Sequence, residues 1–309
     1  MESRTEDKQS LRSLVEQNFK IKKVKQIAPK ETGFLAADSS TATRDLRFHA
    51  LWSIHCVSTY GLFNGRENED PLVGNGYTPY TSLMYDSSVD VGSFDLYHML
   101  EQQLNHIRIG KEYEELAVQS EKMAESGFNL DFILVDGSLK TNSENLSAKQ
   151  GFDGLGNALQ AQDRLLKKGR VVSMVEDSHA SDIARRLRLK MSNLMLFDIA
   201  LDECEYVVDE GVFNVCYIKQ PSKRISYLDG NNWPLTVRWE FSYRNFDEDL
   251  ERLCSIWANE NDLLHPQVYP LRTADYLTRR LKASGLLDEA IAEANPEVEF
   301  RNMRESVFE

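Results

Sequence analysis

Apolar and polar positions change period several times along the chain, and each change marks an expected element. Leu11, Leu14, Val15 and Phe19 recur at helical spacing, so the first 30 residues read as a helical arm. Residues 33–38 form a short apolar run that ends in Asp38. Residues 47–60 read as a longer strand, rich in aromatic and β-branched side chains. Residues 64–79 hold Gly65, Pro71, Gly74, Gly76 and Pro79 and read as loop. Residues 94–126 contain no proline and one glycine, Gly110. Leu96, Met99, Ile107, Tyr113, Leu116, Ser120 and Met123 there predict one long helix or two stacked ones, stopped by Gly127.

Residues 130–136 then read as a buried strand ending in Asp136. A helix over 157–168 with Gly169 as its cap, a third buried strand over 170–175 and a basic helix over 181–190 follow. Residues 212–218 and 236–241 are strand candidates, the latter with Val237, Trp239 and Phe241 on one face. Helices are expected over 247–259, 272–283 and 286–294. Strands alternating with helices predict an α/β or mixed-sheet fold. There is no internal repeat and no low-complexity linker, so residues 1–309 read as one domain with insertions.

Composition narrows the classes. No run of about 18 apolar residues exists, which argues against a membrane span. The N-terminus is charged and lacks the apolar centre of a secretory signal. Cys56, Cys204, Cys216 and Cys254 are scattered without metal-ligand spacing and read as buried thiols, in keeping with a cytoplasmic protein. The net charge of −13 argues against a surface coated for nucleic-acid binding but leaves room for a confined basic channel. Local basic clusters occur at residues 20–30, 164–170 and 185–190, and each reads equally as a solvated helix face. No GxxxxGK[ST] loop is present, so any ATP hydrolysis would come from a partner.

Two matched segments carry the chemistry. FLAADSS (residues 34–40) and FILVDGSL (residues 132–139) are each an apolar strand running into an aspartate followed by small residues. Each aspartate alone also fits an ordinary turn. Together on neighbouring strands they would concentrate negative charge, which a hard divalent cation relieves. Such a site can neutralise a phosphodiester and activate water. His49 and His55 share a face by parity and read as packed residues. Tyr77, Tyr80 and Tyr85 read either as core cover or as base-stacking side chains.

These segments, taken together, resemble the NurA family of nucleases. Ala37-Asp38-Ser39-Ser40 matches the family's first strand end, and Asp136-Gly137-Ser138-Leu139 matches its second. Residues 171–187 align with a later strand and helix, and residues 269–275 (YPLRTAD) with a C-terminal motif. The resemblance implies a ribonuclease-H-like mixed sheet with flanking helices. It also implies Mn2+-dependent (or Mg2+-dependent) cleavage of DNA, a homodimer, and partnership with a hexameric HerA-type ATPase that translocates DNA.

The family's metal set carries over as Asp38, a helical glutamate, Asp136 and a C-terminal position. The glutamate falls on Glu114 or Glu115, with Glu114 favoured to face inward. The C-terminal position, a histidine in the family, is Asp275 here. His265 lies ten residues earlier and does not align, and a family lysine aligns with Glu176. Lys140, Arg185 and Arg188 are the residues expected to hold DNA phosphates. The expectation is therefore a deoxyribonuclease acting on DNA ends, in end processing or in defence against foreign DNA. The replaced histidine and lysine also motivate an alternative, a non-catalytic DNA-binding or assembly subunit.

Overall fold

The computed structural model describes residues 2–25, 27–28, 30–46, 49–66, 76–77, 90–94, 100–140, 155–175, 179–220, 236–259 and 267–294. Its strands are β1 (Lys22–Lys23), β2 (Thr32–Leu46), β3 (His49–Arg66), β4 (Gly76–Tyr77), β5 (Asp90–Phe94), β6 (Phe132–Asp136), β7 (Val171–Val175), β8 (Glu205–Asp209), β9 (Asn214–Lys219) and β10 (Thr236–Phe241). Its helices are α1 (Glu2–Asn18), α2 (Leu100–Glu125), α3 (Leu155–Leu166), α4 (Asp182–Arg186), α5 (Asn193–Ala200), α6 (Asp247–Asn259), α7 (Tyr269–Ala283) and α8 (Leu286–Ala294).

The strands join in one sheet, in the order β1–β8–β9–β10–β7–β6–β2–β3–β4, with β5 also on β3. β2, β3 and β5 are antiparallel neighbours, while β6 and β7 run parallel to β2 on its other side. That order and those directions make the ribonuclease-H-like sheet expected from the sequence. β10, β9, β8 and β1 extend it with antiparallel pairs.

Helices cover both faces. β9 shows the alternation: Cys216 and Ile218 pack with α6 and α7 residues such as Leu253 and Leu271, whereas Val215 and Tyr217 pack with Val15, Ile183 and Phe197. Two-sided burial explains the apolar runs of the central strands, since period-2 alternation needs one wet face. On the face of Leu35 and Ala37, α2 and α3 supply Tyr113, Leu116 and Leu165. Gly110 lets these two helices approach, because a Cβ there would stand 2.8 Å from Ala158 Cβ.

Several local expectations change. Residues 94–126 split, with Phe94 ending β5 and α2 running unbroken from Leu100. The basic helix is short: α4 ends at Arg186, and Arg188 adopts φ 61°, which breaks helical geometry. The N-terminal arm is docked, with Leu11, Val15 and Phe19 in the core shared with α5. Arg12 bridges to Glu205 at 2.7 Å. The four cysteines are buried thiols, as expected. In β10, Val237, Trp239 and Phe241 share one face, but all six positions are buried. The opposite face carries Arg238 ion-paired with Glu240. Buried charges need full hydrogen bonding. Glu240 also accepts from Ser138 Oγ and from the Lys140 amide, each at 2.7 Å.

Candidate metal centre

Ala37 is in register with Val135 in the parallel ladder of β2 and β6. Asp38 and Asp136, the next residue on each strand, therefore lie side by side at the ~4.8 Å strand spacing. Phe34 and Ala36 enter the core under α6 and α7, so the two-residue period aims Asp38 at that face. The strand does not stop at Asp38. β2 continues to Leu46 because β3 pairs with it along its whole length. The strand that stops is β6, at Asp136. Asp38 thus sits mid-strand at the point where its parallel neighbour ends, only 6% exposed. Gly137, at φ +80°, turns the chain away immediately afterwards.

The C-terminal segment closes over this pair. Thr278 Oγ1, on α7, donates to Asp38 Oδ2 at 2.6 Å, and Gln267 Nε2 donates to Asp136 Oδ1 at 3.2 Å. Asp275, one helical turn before Thr278, adds a third negative charge that is felt by both aspartates. Arg279 Nε donates to Asp275 Oδ1 at 2.6 Å.

Of the three α2 glutamates at 112, 114 and 115, Glu112 is the one with an electrostatic influence from both aspartates. It is 3% exposed, accepts from Ser39 Oγ at 2.9 Å, and interacts electrostatically with Asp38 and Asp136. Glu114 faces solvent, with its side chain 55% exposed and 3.7 Å from Lys111. Glu115 turns toward β3, where it accepts from Ser58 Oγ and Gln119 Nε2, both at 2.8 Å. The helical period contains the signal for Glu112. It lies three residues after Ile109 and four before Leu116, both buried on the sheet-facing side.

Arg108 lies one turn before Glu112, with Nη1 3.7 Å from Glu112 Oε2. Nη1 donates to Ser39 O at 2.8 Å and Ser39 Oγ at 3.1 Å.

The electrostatics follow from burial of like charges. Burial pushes the Asp136 carboxyl up to about 6, and Asp38 and Asp275 add to the effect, while Arg108 and the Gly137 amide oppose it. Burial raises Asp38 despite the Thr278 hydrogen bond, and it raises Glu112 well above the ordinary carboxylate range.

Lys140 Nζ lies 3.8 Å from both Asp182 and Asp209. With Arg185 and Arg186 it lines a cleft of about 650 Å³. Arg185 and Arg188 are exposed. His55 is buried beside Ser53, as a packed histidine. His265, Glu176, Tyr80, Tyr85 and the side chains of His49 and Tyr77 lie outside the described residues.

Among the described residues no three carboxylate, imidazole or thiol groups are close enough together to grip an ion as they stand. The donor chemistry nevertheless fits a hard divalent cation. Asp38, Glu112, Asp136 and Asp275 offer only oxygen, and their mutual repulsion is what such an ion relieves.

A ribonuclease-H-like sheet that sets Asp38 of β2 beside Asp136 of β6 defines the class of fold. Comparison with solved structures narrows the fold further. The chain is similar to the NurA nuclease from Sulfolobus solfataricus at 12% identity and a TM-score of 0.59, covering 96% of this chain and 93% of that one. It is similar to NurA with manganese at 10% identity and a TM-score of 0.55, covering 94% and 93%. For NurA bound to dAMP and manganese the values are 9%, 0.52, and 89% of each chain. The chain therefore has the NurA fold over nearly its whole length. No protein-family profile and no curated protein sequence matches it. No helix among the described residues is long and apolar enough to cross a membrane.

Proposed function

We propose that this chain is a metal-dependent deoxyribonuclease of the NurA family, with Asp38, Asp136, Glu112 and Asp275 holding Mn2+ or Mg2+. One observation carries the reading: Asp38 and Asp136 stand side by side, Asp275 is close enough to raise the proton affinity of both, and the pair in turn raises that of Glu112. A fold gains little stability from such repulsion, so the arrangement points to a ligand. When bound, a divalent ion supplies charge neutralisation at a phosphodiester and polarises water for attack.

The residues around it do the rest. Thr278 and Gln267 fix the orientation of the two aspartates, and α7 carries Asp275 into the site. Arg185 and Arg188 offer exposed charge to DNA phosphates. Lys140, held by Asp182 and Asp209, sets the edge of that surface. The acidic chain suits a nuclease supplied with DNA by a motor, and we assign a HerA-type hexameric translocase as the partner. The working form is a cytoplasmic homodimer acting on DNA ends, in repair or in defence against foreign DNA.

The test is a linear duplex with Mn2+, with and without the translocase. Wild type is expected to degrade it, weakly alone and strongly with the partner, and Asp136→Ala to leave it intact. Equal cleavage by both chains would refute the assignment. A second reading, a non-catalytic assembly subunit, draws on the lack of a preformed three-ligand cage among the described residues. It is favoured if neither chain cleaves, even with the partner, and Mn2+ does not bind.

A further inference from the structure

We propose that Glu240 is a positioning residue for Asp136: it holds the chain that follows β6 and so sets the peptide that meets the Asp136 carboxylate. The inference rests on the metal-dependent reading above. Asp136 lies on the sheet face of Phe132 and Leu134, which Val237, Trp239 and Phe241 share, so Glu240 lies on the other face. Glu240 is fully buried, and Arg238, its ion-pair partner, is nearly so. A buried ion pair is a poor source of stability, because desolvation offsets the attraction, and apolar side chains of similar size often serve a fold as well. The carboxylate at this position therefore points to a role beyond stability.

Both oxygens of Glu240 are engaged by the turn after Asp136. Oε1 accepts from Ser138 Oγ and Oε2 from the Lys140 amide, each at 2.7 Å, and Arg238 Nη2 donates to Ser138 Oγ at 3.2 Å. β6 and β10 are not neighbours, because β7 lies between them. Glu240 is level with Ser173 of β7, and Ser173 with Val135 of β6. The carboxylate thus meets residues 138–140 across β7, at a level where Ser173 presents only a small side chain. Gly137, at φ +80°, lets the chain bend there. Glycine is also the least restricted residue, so the direction of the bend is set by what holds its far end.

The effect reaches Asp136 through one peptide. The Gly137 N–H donates to Met174 O at 3.2 Å and also acts on the Asp136 carboxyl, where it favours the charged form. Together with Gln267 Nε2 on Oδ1, it orients that carboxylate. Displacement of Ser138 and Lys140 rotates the Gly137 peptide and withdraws its N–H from the aspartate. Hydrogen bonds that orient a ligand set metal affinity, and losing one typically weakens binding by about ten- to a hundredfold. Glu240 touches neither metal nor substrate and acts through Gly137.

The experiment measures Mn2+ affinity by titration calorimetry on the full chain, in two double variants that both remove the buried ion pair. Arg238→Met with Glu240→Gln keeps an oxygen for the Lys140 amide and an N–H for Ser138 Oγ. Arg238→Met with Glu240→Leu keeps neither. The first is expected to bind Mn2+ within about threefold of wild type, and the second at least about tenfold more weakly. Hydrogen exchange at the Gly137 amide is expected to quicken in the second alone. Ser138→Ala, which leaves the ion pair intact, is expected to weaken binding several-fold, and it decides the matter if the leucine variant does not fold. Equal Mn2+ affinity in the two folded double variants, or unchanged affinity in Ser138→Ala, would overturn the inference and leave the nuclease reading standing. No Mn2+ binding by wild type would overturn both.

Discussion

Replacing Asp136 with asparagine should make the metal-free protein more stable at neutral pH. The Asp136 carboxyl rises from an ordinary 3.8 to about 6 on folding. That difference corresponds to roughly 3 kcal/mol between the charged and neutral forms in the folded state. Because this carboxyl holds its proton more tightly folded than unfolded, its ionisation costs stability as pH rises from about 4 to about 6, and the cost is complete above that. Asparagine never ionises and keeps an oxygen for Gln267 Nε2. Some solvent reaches Asp136, so the expected gain at pH 7.5 is about 2–3 kcal/mol, falling toward zero at pH 4. Urea unfolding in EDTA at pH 4, 5, 6 and 7.5 measures it. Mn2+ at a hundred times its dissociation constant should then bring the two level, because it adds about 2.7 kcal/mol to wild type only. A gain that does not vary with pH, or a loss at pH 7.5, would refute the argument that Asp136 is held in a repulsive, metal-seeking environment.

Glu112→Gln should weaken Mn2+ binding at least about tenfold by calorimetry, whereas Glu114→Gln should leave it unchanged. Equal effects would return the helical ligand to the exposed position. Thr278→Val removes the donor on Asp38 Oδ2 and should weaken Mn2+ binding several-fold at pH 6.5, where protons compete best, with a smaller loss at pH 8. Gly110→Val drives a side chain into Ala158 across the α2–α3 contact and should cost about 1–3 kcal/mol in a denaturant melt. Arg185→Glu with Arg188→Glu should weaken DNA binding and lower its slope against salt by about one per lost phosphate contact, with no change in Mn2+ affinity.

The strands of the ribonuclease-H-like half were readable because they are short apolar runs with clear ends, as at residues 132–136 and 171–175. β2 was harder. Ser39, Ser40 and Thr41 resemble a turn after Asp38, yet they continue as strand because fifteen residues of β3 stand opposite to pair with them. Local sequence cannot report a partner that distant. The basic helix expected over 181–190 is cut short because α4 has five residues and the left-handed Arg188 follows it. Asp38 and Asp136 stand on neighbouring strands, and Asp275 acts on both through its charge. The sequence reading compares only Glu114 and Glu115 and passes over Glu112, whose spacing to the buried Ile109 and Leu116 turns it to the sheet. Arg108 and Thr278 had no sequence signal of their own. Their roles arise only where α2 and α7 approach β2 from opposite faces.

The most direct test of the account is a crystal soaked in Mn2+ and measured at the manganese absorption edge. The account predicts an anomalous peak about 2.2 Å from carboxylate oxygens of Asp38 and Asp136, with Glu112 or Asp275 completing the shell. A saturating soak that leaves no peak between Asp38 and Asp136 would contradict it.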